Sequence, residues 1–447
     1  MSRPAADPFT PLRAQLRMIR PARDTGRVAG LARDHVDVTG LDTVAAIGDR
    51  VRIGEGVLGE ILQIASGTCR VVVEGGTSGM RIGMPVVILG PVRLAPCAGW
   101  LGRIVDPDGE PMDNRPLPRG ETSRPLWAPP PSPVARRGLG ARLATGLAVF
   151  DTLLPLVRGQ RIGLFAGSGV GKSRLIATLA EGVDADVIVV GLIGERGREV
   201  RDFVAHTLGP EALARTVVVA ATSDRPAPTR ARAAAAMMTV AEHFRDEGAH
   251  VLVLADSITR FAEAQSELAA TAGEPFGPNG FPASMAQLIM SLAERAGPGM
   301  GAQGDITAIF SVLVAGSDLE GPIADIMRGV LDGHVVLSRE IAERGRFPAI
   351  DALASVSRAL PGAATASELA LISRARHLMS TYARAELMVQ SGLYTPGADA
   401  TTDAAVAVWD KLDAFVGAPS AGGVDRSFAA LRAILERQDA EPRQAAR

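Results

Sequence analysis

The sequence predicts an α/β protein: a phosphate-binding core with a parallel sheet, preceded by a small β-barrel and followed by a helical domain. Three observations predict it. The stretch FAGSGVGKS (165–173) stands between an apolar run of strand length and an amphipathic helical run. Further apolar runs, DVIVVGLIG, TVVVAATS, HVLVLAD and DITAIFSVLVAG, follow with helical patterns between them, the alternation of a parallel sheet covered on both faces. Ahead of it lie short strand-like runs divided by Gly and Asp, and after about residue 366 the pattern is helical.

In chain order, residues 1–25 hold Arg13, Arg17, Arg20 and Arg23 beside Leu12, Leu16 and Ile19. This reads equally as a basic amphipathic helix that docks on a partner or membrane surface, or as a frayed terminus. From 26 to 98, RVAGLA, RVRIG, GEILQIA, CRVVVEGG and MPVVILG suggest a barrel or a sandwich. RPLWAPPPSPVARRG (124–138) reads as a linker. The core occupies 99–365. In the helical domain, 366–447, Leu371, Ala375, Leu378, Met379 and Tyr382 form a 3.6-residue stripe, and the last residues, DAEPRQAAR, read as disordered.

Composition narrows the function. The 447-residue chain has a formal charge of −2, and Arg27–Gly99 contains seven acidic and seven basic residues and no Phe, Tyr or Trp. A barrel that grips single-stranded nucleic acid needs positive charge and stacking platforms, so nucleic acid is not the expected partner. No apolar run reaches the ~18 residues of a membrane span. Cys69 and Cys97 read as reduced thiols, and the expected location is the cytoplasm.

The glycine-rich stretch carries the chemistry. Gly167, Gly169 and Gly171 allow the backbone to wrap an anion, with Ser168 and Val170 contributing N–H groups. The following helix aims its positive end at the same point. Lys172 would reach the β- and γ-phosphates and the Ser173 hydroxyl would take a position on Mg2+. Ala166 replaces the usual first glycine, where the strand ends and positive φ is not required. Only two lysines occur in the chain, Lys172 and Lys411; one stands where a compact ammonium fits and a guanidinium fork does not.

Hydrolysis also needs a metal-side acid, a base for water, and a counter-charge for the transition state. Asp256, at the end of the apolar run HVLVLAD, is the candidate acid; as a bland alternative it caps a turn. Glu195, at the tip of VIVVGLIGE, is the candidate base, with Arg196 beside it. Nothing in the spacing of RFPAIDALASVSR shows which arginine faces a nucleotide.

PAIDALASVS (348–357) resembles the signature of the α and β subunits of rotary ATP synthases. Together with FAGSGVGKS, GERGREV, ATSDRPAPTRARAAAAMMTVAEHFRDEG, LADSITRFAEAQSEL and LDGHVVLSREIAERGRFPAIDALASVSR, it resembles the type III export ATPases, flagellar and injectisome. The resemblance is close from about 100 to 390 and looser outside. It implies a RecA-like ATPase core using ATP and Mg2+, with Lys172 and Ser173 on phosphate and metal, Glu195 catalytic and Asp256 on the metal side. It places Phe347 against adenine, where the family usually has Tyr, and Arg358 in the neighbouring subunit's site. It further implies a homo-hexamer with GEPFGPNGFP (273–282) lining the pore, a central-stalk coiled coil, a regulatory or stator-type partner at the N-terminus, export substrates and chaperones, and a position peripheral to the inner membrane. Flagellar export is the favoured reading. An injectisome ATPase and a β-type rotary subunit are the alternatives within the family, and a Rho-type RNA translocase is the rival outside it.

Overall fold

The computed structural model describes residues 23–314, 320–420 and 422–440. The basic N-terminal segment and the final residues expected to be disordered lie almost entirely outside the described residues.

Six antiparallel strands, β1 (Thr25–Leu31), β2 (His35–Thr39), β3 (Asp49–Ile53), β4 (Val57–Ala65), β5 (Thr68–Val73) and β6 (Pro85–Pro91), close into a barrel in the order β1-β2-β5-β4-β3-β6. β1 pairs with both β2 and β6, so no edge is left open and the barrel, not the sandwich, is realised. Its filling is aliphatic: Val36, Val38, Val51, Ile61 and Val71 are completely buried. β2 escapes sequence reading because HVDVT offers only two valines, between polar residues that stay half-exposed or exposed.

A ribbon of β7 (Arg93–Leu94) and β9 (Arg124–Pro125) leads from the barrel towards the core. The proline-rich segment expected to be a free linker is instead pinned. Arg136 donates to the Ala296 carbonyl at 2.7 Å, and Arg137 donates to the carboxylate of Asp305 at 2.6 Å.

The core sheet contains β8 (Arg103–Val105), β10 (Arg161–Ala166), β11 (Val187–Glu195), β12 (Thr216–Thr222), β13 (Val251–Asp256), β15 (Asp305–Leu313), β16 (Gly333–Leu337) and β17 (Ile350–Ser357), with the short β14 (Gly297–Pro298) paired to β15. The order is β17-β16-β10-β15-β13-β11-β12-β8. β17 runs antiparallel to β16, which corrects the expectation of a wholly parallel sheet. The reason lies in the connection: the five-residue helix Arg339–Glu343 rises only ~7.5 Å. The rest of the connection folds back on the same end of the sheet, so the chain re-enters with Ile350 paired to Leu337, the last residue of β16, and can only run back along it.

Both faces of the sheet are covered. Alternate residues of β11 serve two clusters: Ile188, Val190 and Leu192 pack with Leu175 and Ile176 of the helix Lys172–Gly182, while Val187, Val189 and Ile193 pack with the alanine-rich helix Ala227–Asp246. Alanines bring that helix close enough that a Cβ on Gly191 would lie 2.4 Å from Met237 Sδ.

The same helix carries Arg232, 3% exposed, into an ionic cluster at the junction with the barrel. It donates to Glu60, to Glu74 at 2.7 Å and to Asp108 at 3.1 Å, and Arg50 pairs with Glu74 and Asp108. Three helices close the chain: Ala366–Gln390, opened by a capping box of Thr365 and Glu368, then Ala400–Gly417 and Gly423–Ala440. The predicted stripe is realised, with Ala375, Leu378 and Met379 buried.

Candidate active site

The phosphate loop joins the end of β10 to the helix Lys172–Gly182. Gly169 and Gly171 take φ of 80° and 86°, a conformation that L side chains rarely adopt. Gly171 is the helix N-cap, so the loop's N–H groups and the helix end converge on one point. The loop borders a cavity of about 710 Å3 lined by Gly167, Ser168, Gly169, Gly171, Lys172, Ser173, Glu195 and Arg196. Val170 is the exception among the predicted loop residues: its side chain is 2% exposed and packs into the core, so only its backbone can serve a ligand.

Topology brings the carboxylates to the loop. Asp256 ends β13, Glu195 ends β11, and the parallel register places Leu192 opposite Asp256. The ammonium of Lys172 contacts Asp256 and lies 3.8 Å from Glu195. The Ser311 hydroxyl of β15, the strand between β10 and β13, donates to Asp256 at 2.8 Å. Burial pushes the carboxyl of Glu195 up to about 7, helped by the charge of Asp256 and a hydrogen bond with Glu199, while Lys172 opposes the shift. A carboxyl balanced near neutrality can exchange a proton with water.

A smaller cavity of about 170 Å3 adjoins Ser173, Glu195, Glu199 and Asp256. The Ser173 hydroxyl and the Asp256 carboxylate thus share a space and offer hard oxygen donors, a set that fits Mg2+. Among the described residues no group of three or more His, Cys, Asp or Glu forms a self-sufficient metal cage. The fit is therefore to a cation that takes its other ligands from phosphate oxygens and water.

Arg196 is an exposed rim residue 3.6 Å from Glu199. Phe347 lies beside the loop: a Cβ on Gly171 would meet its ring at 3.3 Å, and half of the side chain is exposed. Arg358 is not brought in. It follows β17, where Ser357 pairs with Gly333 at the start of β16, whereas Ile350 pairs with Leu337 at the phosphate-loop end. The eight residues of β17 separate Arg358 from its own loop by ~25 Å. There it is exposed and donates to the carbonyls of Leu331 and Arg328, each at 3.1 Å. In the predicted pore segment, Phe276 is 48% exposed and Phe281 packs against the core.

Sequence reading missed several cavity residues. Glu199 stands in GERGREV and Arg260 in DSITRF, but only the structure shows that both face Glu195, with Arg260 held by Glu263 at 2.8 Å. Arg230 was equally unannounced in the cavity lining, and Arg339, outside that lining, reaches the Ser168 carbonyl at 3.5 Å. Their signal was proximity to a motif in the sequence, which does not separate a cavity residue from a surface one.

Comparison with known proteins agrees with this geometry. Residues 146–357 match the ATP synthase alpha/beta family nucleotide-binding domain, 23–90 its beta-barrel domain, and 364–425 the T3SS EscN ATPase C-terminal domain. The flagellum-specific ATP synthase of Caulobacter vibrioides is 43% identical over 95% of this chain and 98% of its own. The chain belongs to the export ATPases of the ATP synthase alpha/beta family. Among solved structures of this family, assembled EscN from the type III secretion system of enteropathogenic E. coli superposes with a TM-score of 0.86 at 36% identity, over 92% of this chain and 100% of that one. EscN in complex with its central stalk EscO gives 0.83 with the same identity and coverage. The RecA-like core, the barrel and the helical domain of the export ATPases are therefore all present.

Proposed function

We propose that this protein hydrolyses ATP to energise flagellar type III protein export, with Glu195 as the base. The observation that carries the chemistry is the meeting of Glu195, Lys172 and Asp256 at one end of the sheet, with the Glu195 carboxyl held near 7. Membership of the family makes the chain an ATP hydrolase of protein export. The C-terminal match to an EscN-type domain favours export over a rotary β subunit, and the flagellum-specific relative supports the flagellar branch over the injectisome.

The residues divide the work. The backbone from Gly167 to Gly171 and the helix end hold the phosphates. Lys172, drawn from Asp256 and Glu195 to the β- and γ-phosphates, neutralises charge there. Ser173 and Asp256 would hold Mg2+, whose bound charge would offset that of the phosphates. Glu195 orients water and accepts its proton, with Arg196 and Arg260 at the γ-phosphate side. Phe347 stacks on adenine.

Arg358 faces outward and away from its own loop, so it serves a neighbour's site, and a hexameric ring follows. Assembled EscN supports that reading, and its complex with EscO supports a central stalk passing the 273–282 segments. Export substrates and chaperones are the cargo, a regulator binds the N-terminal segment, and the ring works in the cytoplasm beside the inner membrane. No helix among the described residues is long and apolar enough to cross a membrane.

The test is Glu195→Gln. ATP affinity should persist while turnover falls by roughly 10²–10⁴-fold, the range for a lost positioned base. Near wild-type hydrolysis would overturn the assignment.

A further inference from the structure

The segment from Arg339 to Pro348 is held from two sides. On one side it touches the phosphate loop, through Arg339 at the Ser168 carbonyl and the Phe347 ring against Gly171. On the other it is tied to the C-terminal helices. Arg344 pairs with Glu386 of the helix Ala366–Gln390 at 2.7 Å, and Arg346 pairs with Asp413 of the helix Ala400–Gly417 at 3.0 Å.

Arg346 is built to hold the residue after it. Its guanidinium donates to the carbonyls of Pro348 at 3.1 Å and Ile350 at 2.8 Å, straddling the turn that presents Phe347. Its side chain is only 11% exposed, and Asp413 is the acidic group it meets across the domain boundary. The end of the Asp413 helix lies on the same turn: a Cβ on Gly417 would meet the Phe347 carbonyl at 3.1 Å and the Arg346 stem at 3.4 Å. Phe347 itself is half-exposed and has no aromatic partner among the described residues. Beyond the contact with Gly171, the turn that Arg346 straddles sets where the ring sits.

We infer that Arg346 and Asp413 are positioning residues for nucleotide binding, through which the C-terminal helical domain fixes the Phe347 ring beside the phosphate loop. This rests on the reading of Phe347 as the base-contacting residue. A guanidinium clamp with an anchored counter-ion keeps the turn in one conformation, so that ring order is not bought from binding energy when the nucleotide arrives. Without the anchor, Arg346 keeps its two carbonyls but loses the contact that fixes both relative to the helices.

The experiment compares Asp413→Asn, Asp413→Glu, Phe347→Ala and the double variant Phe347→Ala/Asp413→Asn, using KM and kcat for ATP. Binding of inorganic tripolyphosphate, which has phosphates and no base, is measured alongside. Asp413→Asn should raise KM about 2–5-fold, the range for losing one partly exposed ion pair, with a much smaller change in kcat. Asp413→Glu should restore much of the affinity. Tripolyphosphate affinity should not change, which distinguishes positioning of the ring from general damage to the site. In the Phe347→Ala background, Asp413→Asn should add little, since residues acting through one group are not additive. If Phe347→Ala raises KM while Asp413→Asn is silent, or the two effects add in full, the coupling is refuted and the ring contact stands. If Phe347→Ala leaves KM unchanged, the ring contact itself is refuted, and the coupling with it.

Discussion

Glu195 links the geometry of the site to a pH profile. Its carboxyl sits at about 7 instead of the ordinary 4.5, because burial and the charge of Asp256 disfavour the anion more than Lys172 favours it. The base is the anion, so activity is lost as pH falls through the shifted value. About one-tenth of Glu195 is ionised at pH 6 and about nine-tenths at pH 8, so kcat/KM, which reports the free enzyme, should rise on the order of tenfold between them. The substrate's own ionisation overlaps this window, so a second variant isolates the protein's part. Glu199 hydrogen-bonds Glu195 and raises it further. Glu199→Gln should move the midpoint to lower pH, while ATP titrates identically in both enzymes. Steady-state ATPase assays from pH 5.5 to 8.5 at constant ionic strength supply both curves. A flat wild-type profile, or a midpoint that Glu199→Gln leaves in place, refutes the reasoning. Linkage adds an independent sign. The folded chain binds the Glu195 proton more tightly than the unfolded one, so this group makes the fold less stable as pH rises from about 4.5 to about 7.

Arg358→Ala should cut turnover severely, since an arginine finger is typically worth ~10³–10⁵ in rate, while leaving nucleotide binding by the monomer intact. Mixed with Glu195→Gln subunits it should regain some ATPase activity; a mixture that forms rings by light scattering yet stays inactive would refute action in trans. Arg232→Met leaves Glu60, Glu74 and Asp108 facing one another in a buried junction. Its cost should be ~3–5 kcal/mol, lowering the thermal midpoint by roughly 3–5 °C for a chain of this size, and an unchanged midpoint by calorimetry would show that the cluster contributes nothing. Removing residues 1–22 should leave the core's thermal unfolding nearly unchanged and weaken binding to anionic vesicles; a large fall in the midpoint would mean that the segment packs on the barrel.

The sequence by itself determined the phosphate loop, the strand that feeds it and the helix that leaves it. The glycines, Lys172 and Ser173 act through local backbone geometry, and local geometry is written in neighbouring residues. It also determined that Asp256 and Glu195 end buried strands, because apolar runs announce strands and an acid at a run's end is visible. That these ends meet is a property of strand order: β13 and β15 lie between β10 and β11, an arrangement set by packing between distant segments. The third partner, Ser311, is a serine inside an apolar run, indistinguishable there from a core residue until β15 is placed beside Asp256. The antiparallel return of β17 likewise escaped sequence reading. It depends on which end of β16 the chain re-enters the sheet, and it carries Arg358 away from its own loop. The Arg232 cluster and the Arg346–Asp413 pair join residues far apart in the chain, so no window of sequence contains either. Pattern and propensity fix what one stretch does with its own backbone. The charge environment of Glu195, the reach of Arg358 and the anchoring of Phe347 depend on which stretches the tertiary fold brings together.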